Sequence, residues 1–199
     1  MEPEIEPRIK PKNLLFIMSD QHGPSFMGCS GHPMVKTPNL DRLAARGTRF
    51  ENAYTNCPIC VPARASFATG RYVHDCGYWD NADPYDGAVE GWGHRLIAQG
   101  HTVVSIGKLH YRCEDDPTGF SQQVIPLHVV DGVGDLIGLI RDDLPERKAA
   151  AKYAGDTGRG EASYIHYDRN IDDAAVKGLS EDAARNADKP WVLFVSFVC

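Results

Sequence analysis

The sequence lacks both an excess of positive charge and any long apolar run. Its 21 lysines and arginines are outnumbered by 27 aspartates and glutamates, which gives a formal net charge of −6. We therefore expect no nucleic-acid partner, because such proteins carry a basic surface. No apolar run approaches the roughly 20 residues of a membrane-spanning helix, so no membrane partner is expected either. Internal repeats and low-complexity tracts are missing too, and the 42% hydrophobic and 24% charged residues are typical of a soluble globular protein.

A secretory signal is also missing from the N-terminus. Residues 1–12 are acidic and rich in proline, whereas a signal peptide begins with positive charge and continues with an apolar core. We interpret these residues as a polar leader and expect a cytoplasmic location. In that compartment cysteines are more often free or functional than paired. The six cysteines are Cys29, Cys57, Cys60, Cys76, Cys113 and Cys199.

Short apolar runs that predict strands alternate with segments of helical pattern. The predicted strands are residues 13–21, 48–54, 101–107 and 190–199. The predicted helices are residues 37–47, 62–70, 91–100, 141–153 and 167–187. The alternation predicts an α/β fold with a mostly parallel central sheet flanked by helices, in which the first strand is central and buried.

Residues 57–71 contain the most informative chemistry. Pro62 fits the first turn of a helix and Gly70 fits its end, so Cys60 is predicted just outside the helix N-terminus, beside free backbone N–H groups. Arg64 lies about one turn further on and can fold back towards the same point. A sulfur atom, N–H donors and a guanidinium that converge in this way form a pocket for a tetrahedral oxyanion. The simpler alternative is a structural cysteine at a buried helix start.

Polar residues follow two of the predicted strands. Asp20 and Gln21 end the first strand, and Lys108 and His110 follow the third. Ligands collect at the carboxyl ends of the strands in open α/β sheets, and strand residues two apart, such as Lys108 and His110, project to the same face. The pattern alone is equally typical of Asp20 as a turn or helix-cap residue. It is also typical of Lys108 as an ordinary surface lysine and of His110 as an ordinary buried histidine.

Two motifs in the chain resemble the type I sulfatases of the alkaline phosphatase superfamily. The first sulfatase signature, C-x-P-[SA]-R followed by T-G-[RQ], is matched at Cys60, Pro62, Ala63, Arg64, Thr69 and Gly70. A second sulfatase pattern, G-K-x-H, is matched by residues 107–110. The first match is long and specific, and it implies the alkaline-phosphatase and sulfatase type of α/β fold.

The resemblance implies a nucleophile and three catalytic partners for it. In this family a formylglycine-generating enzyme oxidises the signature cysteine, so Cys60 would become Cα-formylglycine. One hydroxyl of its hydrate would attack the sulfur of a sulfate ester, and the other would later expel sulfate. Arg64 would stabilise the hydrate, Lys108 the sulfate charge, and His110 would assist proton transfer.

The resemblance also implies a metal site and a substrate contact. Asp20, and more weakly Gln21, would bind a divalent metal together with the modified Cys60. Ca²⁺ is the first choice, with Mg²⁺ or Mn²⁺ as alternatives. Asn81 lies in an Asp-Asn-Ala loop similar to that of choline-sulfatase-like members, where the asparagine contacts the sulfate.

The function that the resemblance implies is hydrolysis of a small organic sulfate monoester. Sulfatases continue beyond the equivalent of strand 190–199 with a sulfate-binding histidine, further metal ligands and a smaller domain. Residues 13–199 are therefore expected to be the N-terminal part of the catalytic domain, inactive in isolation. Homo-oligomerisation is left open.

Three alternatives to a sulfatase follow from the same residues. Phosphonate monoester and phosphodiester hydrolases of the same superfamily use the same type of site. Cys57-Pro58-Ile59-Cys60 is similar to the C-P-x-C motif of thiol oxidoreductases. A non-catalytic relative, whose Cys60 is never oxidised, is the third.

Overall fold

The computed structural model of the chain describes residues 12–134, 155, 158–182 and 189–199, and these residues contain a four-stranded sheet. Its order is β1-β4-β2-β3. The strands are Leu14–Ser19 (β1), Thr102–Lys108 (β2), Gln122–Leu127 (β3) and Trp191–Phe197 (β4). All three pairings are parallel, so the carboxyl ends of the strands meet at one edge of the sheet. The predicted α/β class with a parallel sheet is confirmed.

The helices are α1 (Pro38–Arg46), α2 (Cys60–Thr69), α3 (Val73–Cys76), α4 (Trp92–Ala98) and α5 (Ser163–Lys177). One π-helical turn at Gly178–Asp182 continues α5, and short 3₁₀ turns occur at Gly28–Ser30 and Val130–Gly132. The predicted helix at 141–153 and the end of that at 167–187 lie outside the described residues. None of the helices in the described part of the chain is long and apolar enough to cross a bilayer.

The interior strands of the described sheet are β4 and β2, and every residue of β4 from 192 to 196 is buried. The prediction that the first strand is central and buried is wrong for these residues. In the part of the chain that the structure describes, β1 pairs on one side only, and its residues Leu15 and Ile17 are 40% and 60% exposed. An apolar run indicates a strand, but the order of strands depends on tertiary contacts that no local pattern contains.

Two further strand predictions differ from the structure. Residues 48–54 form no strand, and Phe50 and Tyr54 in this segment are exposed, with no neighbouring strand to pair with in the described residues. The strand β3 was not predicted, because its two glutamines and Pro126 obscure the strand pattern. Its position at the edge of the sheet accommodates a proline, which cannot donate a backbone hydrogen bond.

The two faces of β4 pack against different helices. Phe194 points to one face and packs in a cluster with Ala65 and Ala68 of α2. Leu193 and Val195 point to the opposite face and pack with Ile171 and Ala175 of α5, as the alternation of side chains along a strand requires. This sandwich fixes α2 against the sheet, with its first turn beside the carboxyl ends of β1 and β2.

Candidate active site

The helix α2 begins at Cys60, two residues earlier than Pro62 led us to predict, so Cys60 is its first residue rather than a neighbour. Pro62 still lies in the first turn, where its missing N–H needs no partner. The helix ends as predicted at Gly70, which takes a left-handed conformation and donates its N–H to the carbonyl of Ser66. Cys60 is therefore held at the positive end of the helix dipole.

A distant asparagine caps this helix. The N-cap residue Ile59 has no side-chain oxygen, and the N–H of Val61 instead donates to Oδ1 of Asn81 at 3.0 Å. The contact brings Asn81, the predicted substrate-binding residue, to the turn that contains Cys60. Because the amide oxygen of Asn81 already accepts the N–H of Val61, its amide NH₂ group is the part that can donate to another partner.

Four of the predicted site residues meet at the carboxyl edge of the sheet. Oδ2 of Asp20 accepts from Arg64 at 2.9 Å and from Lys108 Nζ at 3.0 Å. The sulfur of Cys60 lies 3.6 Å from Oδ1 of Asp20 and 3.8 Å from Nζ of Lys108. The charged side chains are buried, with 5%, 8% and 9% exposure for Arg64, Asp20 and Lys108.

Arg64 also contacts two further strands. Its Nη1 donates to the carbonyl oxygen of Lys108 at 2.5 Å and to Oγ of Ser196 at 3.0 Å. Sequence reasoning missed Ser196, which is fully buried in β4. Its signal was a lone hydroxyl within the apolar run 190–199, because a buried hydroxyl needs a hydrogen-bond partner.

The cluster keeps its carboxylate ionised. Burial acts to raise the pKa of Asp20, but the hydrogen bonds and charges of Lys108 and Arg64 outweigh it and hold that pKa below the ordinary value. Two cations and one anion then give the cluster a net charge of +1. A buried site with this charge and a helix N-terminus is suited to an anion such as a tetrahedral oxyanion.

His110 lies just beyond β2, with a left-handed backbone (φ 57°). The expectation that it projects beside Lys108 by strand alternation does not apply, because the strand ends at Lys108. Burial, followed by the nearby charges of Lys108 and Arg64, lowers the pKa of His110 to about 4. The imidazole is therefore neutral at neutral pH, and its Nδ1 is buried without a hydrogen-bond partner in the described residues.

A cleft of about 830 Å³ opens in front of this cluster. Its lining includes Asp20, Gln21, Cys57 and Cys60. All six cysteines are free, as predicted. Within residues 12–134, 158–182 and 189–199, no three His, Cys, Asp or Glu side chains gather as a metal would require. A divalent ion takes about six oxygen ligands, so Asp20 and Gln21 do not complete a metal site.

Two curated relatives and one solved structure place the chain among known proteins. It is 31% identical to a choline-sulfatase of Rhizobium meliloti over 93% of this chain and 37% of that protein. It is 36% identical to an N-acetylglucosamine-6-O-sulfatase of Bacteroides thetaiotaomicron over 59% of this chain and 21% of that protein. A phosphonate monoester hydrolase of Agrobacterium radiobacter shares the fold with a TM-score of 0.61 and 21% identity, over 95% of this chain and 41% of that one.

The chain spans roughly a fifth to two fifths of the length of these three proteins. Within this chain, however, the match to a family model is nearly complete. The model described as Sulfatase matches residues 12–198, a range that contains Asp20, Cys60, Arg64 and Lys108. The chain therefore belongs to the sulfatase family.

Proposed function

We propose that this protein hydrolyses a small organic sulfate monoester and that Cys60, after oxidation to Cα-formylglycine by a formylglycine-generating enzyme, is its nucleophile. The observation that carries the proposal is the position of Cys60. It begins a helix and lies within 3.8 Å of the buried Asp20 and Lys108 side chains. The names of the two curated relatives, a choline-sulfatase and an N-acetylglucosamine-6-O-sulfatase, support the sulfate ester.

The charges of the cluster support the binding of sulfate. Nζ of Lys108 approaches Cys60 and would neutralise the sulfate oxygens. Arg64 uses three of its five N–H groups on Asp20, Lys108 and Ser196. The two N–H groups without a stated partner in the described residues would stabilise the hydrate of the formylglycine formed from Cys60. That hydrate would supply one hydroxyl as nucleophile and a second to release sulfate. The amide NH₂ of Asn81 would donate to a sulfate oxygen.

Proton transfer is the role that we propose for His110. With its pKa lowered to about 4, the imidazole is neutral above that pH and can accept a proton from a hydroxyl of the modified Cys60. A charged imidazole could not act as this base.

A divalent metal is also part of the proposal, with Ca²⁺ first and Mg²⁺ or Mn²⁺ as alternatives. Asp20, Gln21 and the modified Cys60 are the candidate ligands of this chain. Because these residues fall short of a complete site, no reaction step is assigned to the metal. Metal analysis of the intact protein before and after chelation, alongside turnover, tests this part. The cytoplasmic location, the division of the chain at residue 12 and homo-oligomerisation stay predictions.

Replacement of Cys60 tests the proposed function directly. In the intact protein, Cys60→Ala should reduce the turnover of an aryl sulfate to background, because no other group in the cleft can supply the two hydroxyls. Cys57→Ala is the matched control, since Cys57 lines the same cleft and should leave turnover unchanged. A thiol oxidoreductase would instead depend on Cys57.

Faster hydrolysis of a phosphate diester than of the aryl sulfate would favour the phosphonate monoester hydrolase type.

A further inference from the structure

The edge strand β3 contains a β-bulge opposite the end of β2. Gly107 of β2 faces two residues of β3, Ile125 and Pro126, because the register shifts by one residue at this point. The shift brings Leu127 opposite Lys108, where an unbroken register would place Pro126. Bulges of this kind change the direction of neighbouring side chains and are frequent beside active sites.

The bulge determines how the segment after β2 is held. The carbonyl oxygen of Leu127 accepts the N–H groups of Leu109 at 3.2 Å and of His110 at 2.8 Å. These two residues follow Lys108 directly, and both Lys108 and His110 are residues of the candidate active site. A return of β3 to the unbroken register would move this acceptor by one residue, which is about 3.3 Å along the strand.

The backbone of the bulge is strained at Ile125. Its φ is +43°, a left-handed conformation that a β-branched side chain strongly disfavours. Strained residues of this kind persist only where the surrounding structure holds them, and they cluster at functional sites. The bulge therefore requires contacts that hold it in place.

The helix α5 supplies such contacts on both strands. Tyr167, Ile171 and Ala175 are spaced four residues apart, so they lie on one face of the helix, and they pack in one apolar cluster with residues of β2 and β4. The hydroxyl of Tyr167 donates to the carbonyl oxygen of Ile125 at 2.7 Å. The side chain of Ile171 packs over Gly107, where a Cβ would lie 2.6 Å from it.

We propose that Tyr167 is a positioning residue of the active site, whose hydroxyl fixes the bulge in β3 and thereby the positions of Lys108 and His110. The catalytic consequence rests on the proposed function. Tyr167 acts through the backbone of Ile125 and Leu127 rather than on the substrate. Tyr167→Phe keeps the apolar packing of the ring and removes only the hydrogen bond, so it separates positioning from packing.

Amide hydrogen exchange tests this inference without any turnover. In the intact protein, Tyr167→Phe should accelerate exchange at Leu109 and His110 on the order of tenfold, because their shared acceptor is no longer held. The amide of Leu193, buried in β4, reports on the stability of the whole sheet and should change much less. Tyr72→Phe is the control, since it removes the hydroxyl of a tyrosine that is 61% exposed, and it should leave all three rates unchanged. Equal acceleration at Leu193 and His110, or none at His110, overturns the inference.

Turnover of an aryl sulfate gives a second readout. Tyr167→Phe should lower kcat/KM by about 10- to 100-fold, since a displacement of about 1 Å at the reacting groups can cost a hundredfold. The same substitution should cost a smaller factor in His110→Ala, because one of the two groups that Tyr167 positions is already missing. A merely structural role would cost the same factor in both backgrounds, and that result would contradict the positioning role.

The two proposals fail separately. If the wild-type protein hydrolyses no sulfate ester, the proposed function fails, and the exchange rates of Leu109 and His110 still decide whether Tyr167 holds the bulge.

Discussion

Three of the five N–H groups of Arg64 are committed to the ends of three different strands. They reach Asp20 after β1, the carbonyl of Lys108 at the end of β2 and the hydroxyl of Ser196 in β4. The planar guanidinium suits this arrangement, because it presents several donors in fixed directions. Arg64 therefore anchors the strand ends that form the site, in addition to any contact with a bound anion.

Ser196 contributes to this anchor through one hydrogen bond. Ser196→Ala should lower the free energy of unfolding by about 1 kcal/mol or somewhat more, since it removes an acceptor from a buried charged group. Ser105→Ala is a matched control, because Ser105 is equally buried in β2 but its hydroxyl has no hydrogen-bond partner in the described residues. Its replacement should be neutral or slightly stabilising. Urea unfolding of both variants makes the comparison, and equal losses of stability would contradict this account of Ser196.

At the scale of elements, the first turn of α2 depends on a residue outside the helix. Asn81→Ala should lower the free energy of unfolding by about 1 kcal/mol, because the cap on Val61 is lost. Asn81→Asp keeps an acceptor at that position and adds a negative charge that the helix N-terminus favours, so it should retain most of the stability. Both variants lack the amide donor, so both should turn over an aryl sulfate more slowly than the wild type. If the aspartate restored turnover together with stability, Asn81 would be a cap without a role in binding sulfate.

The contact between β2 and β4 depends on Gly107. Its φ is +91°, and a Cβ there would lie 2.3 Å from the carbonyl oxygen of Ser196 and 2.6 Å from the side chain of Ile171. Gly100 also has a positive φ, of +81°, but nothing lies within 4 Å of its Cβ position. The two glycines therefore share a left-handed backbone, but a Cβ would meet neighbouring atoms at Gly107 and none at Gly100.

Replacing Gly100 and Gly107 by alanine should therefore lower the free energy of unfolding by different amounts. Gly100→Ala should lose about 1–2 kcal/mol of stability, from the left-handed backbone alone. Gly107→Ala should lose roughly 1–3 kcal/mol more, because its Cβ also forces the two strands apart. Thermal and urea unfolding of the two variants measure the difference. Similar losses at both positions would mean that β2 can move away from β4 at little cost.

At the scale of the whole molecule, local signals were sufficient for some elements and not for others. The strand β4 and the end of α2 were predicted because an apolar run and a C-terminal glycine act locally. The exposed position of β1, the absence of a strand at 48–54 and the presence of β3 were not predicted. Each depends on which strand lies beside which, and that information is tertiary.

The same distinction holds for the site. Asp20, Cys60, Arg64 and Lys108 were predicted from two motifs, and the structure brings them together. Ser196 was missed because its only signal is a single hydroxyl in an apolar run. The functional role of these residues, beyond their positions, stays a prediction.

Mass spectrometry of the peptide that contains Cys60 tests the central claim most directly. The protein should be isolated intact from cells that contain a formylglycine-generating enzyme, with Cys60→Ala as the reference. Oxidation to Cα-formylglycine replaces the sulfur and two hydrogens of the side chain by one oxygen, so we predict a peptide lighter by that difference, with a carbonyl that reacts with hydrazine reagents. A protein that hydrolyses sulfate esters while its Cys60 peptide keeps the sulfur would contradict the account.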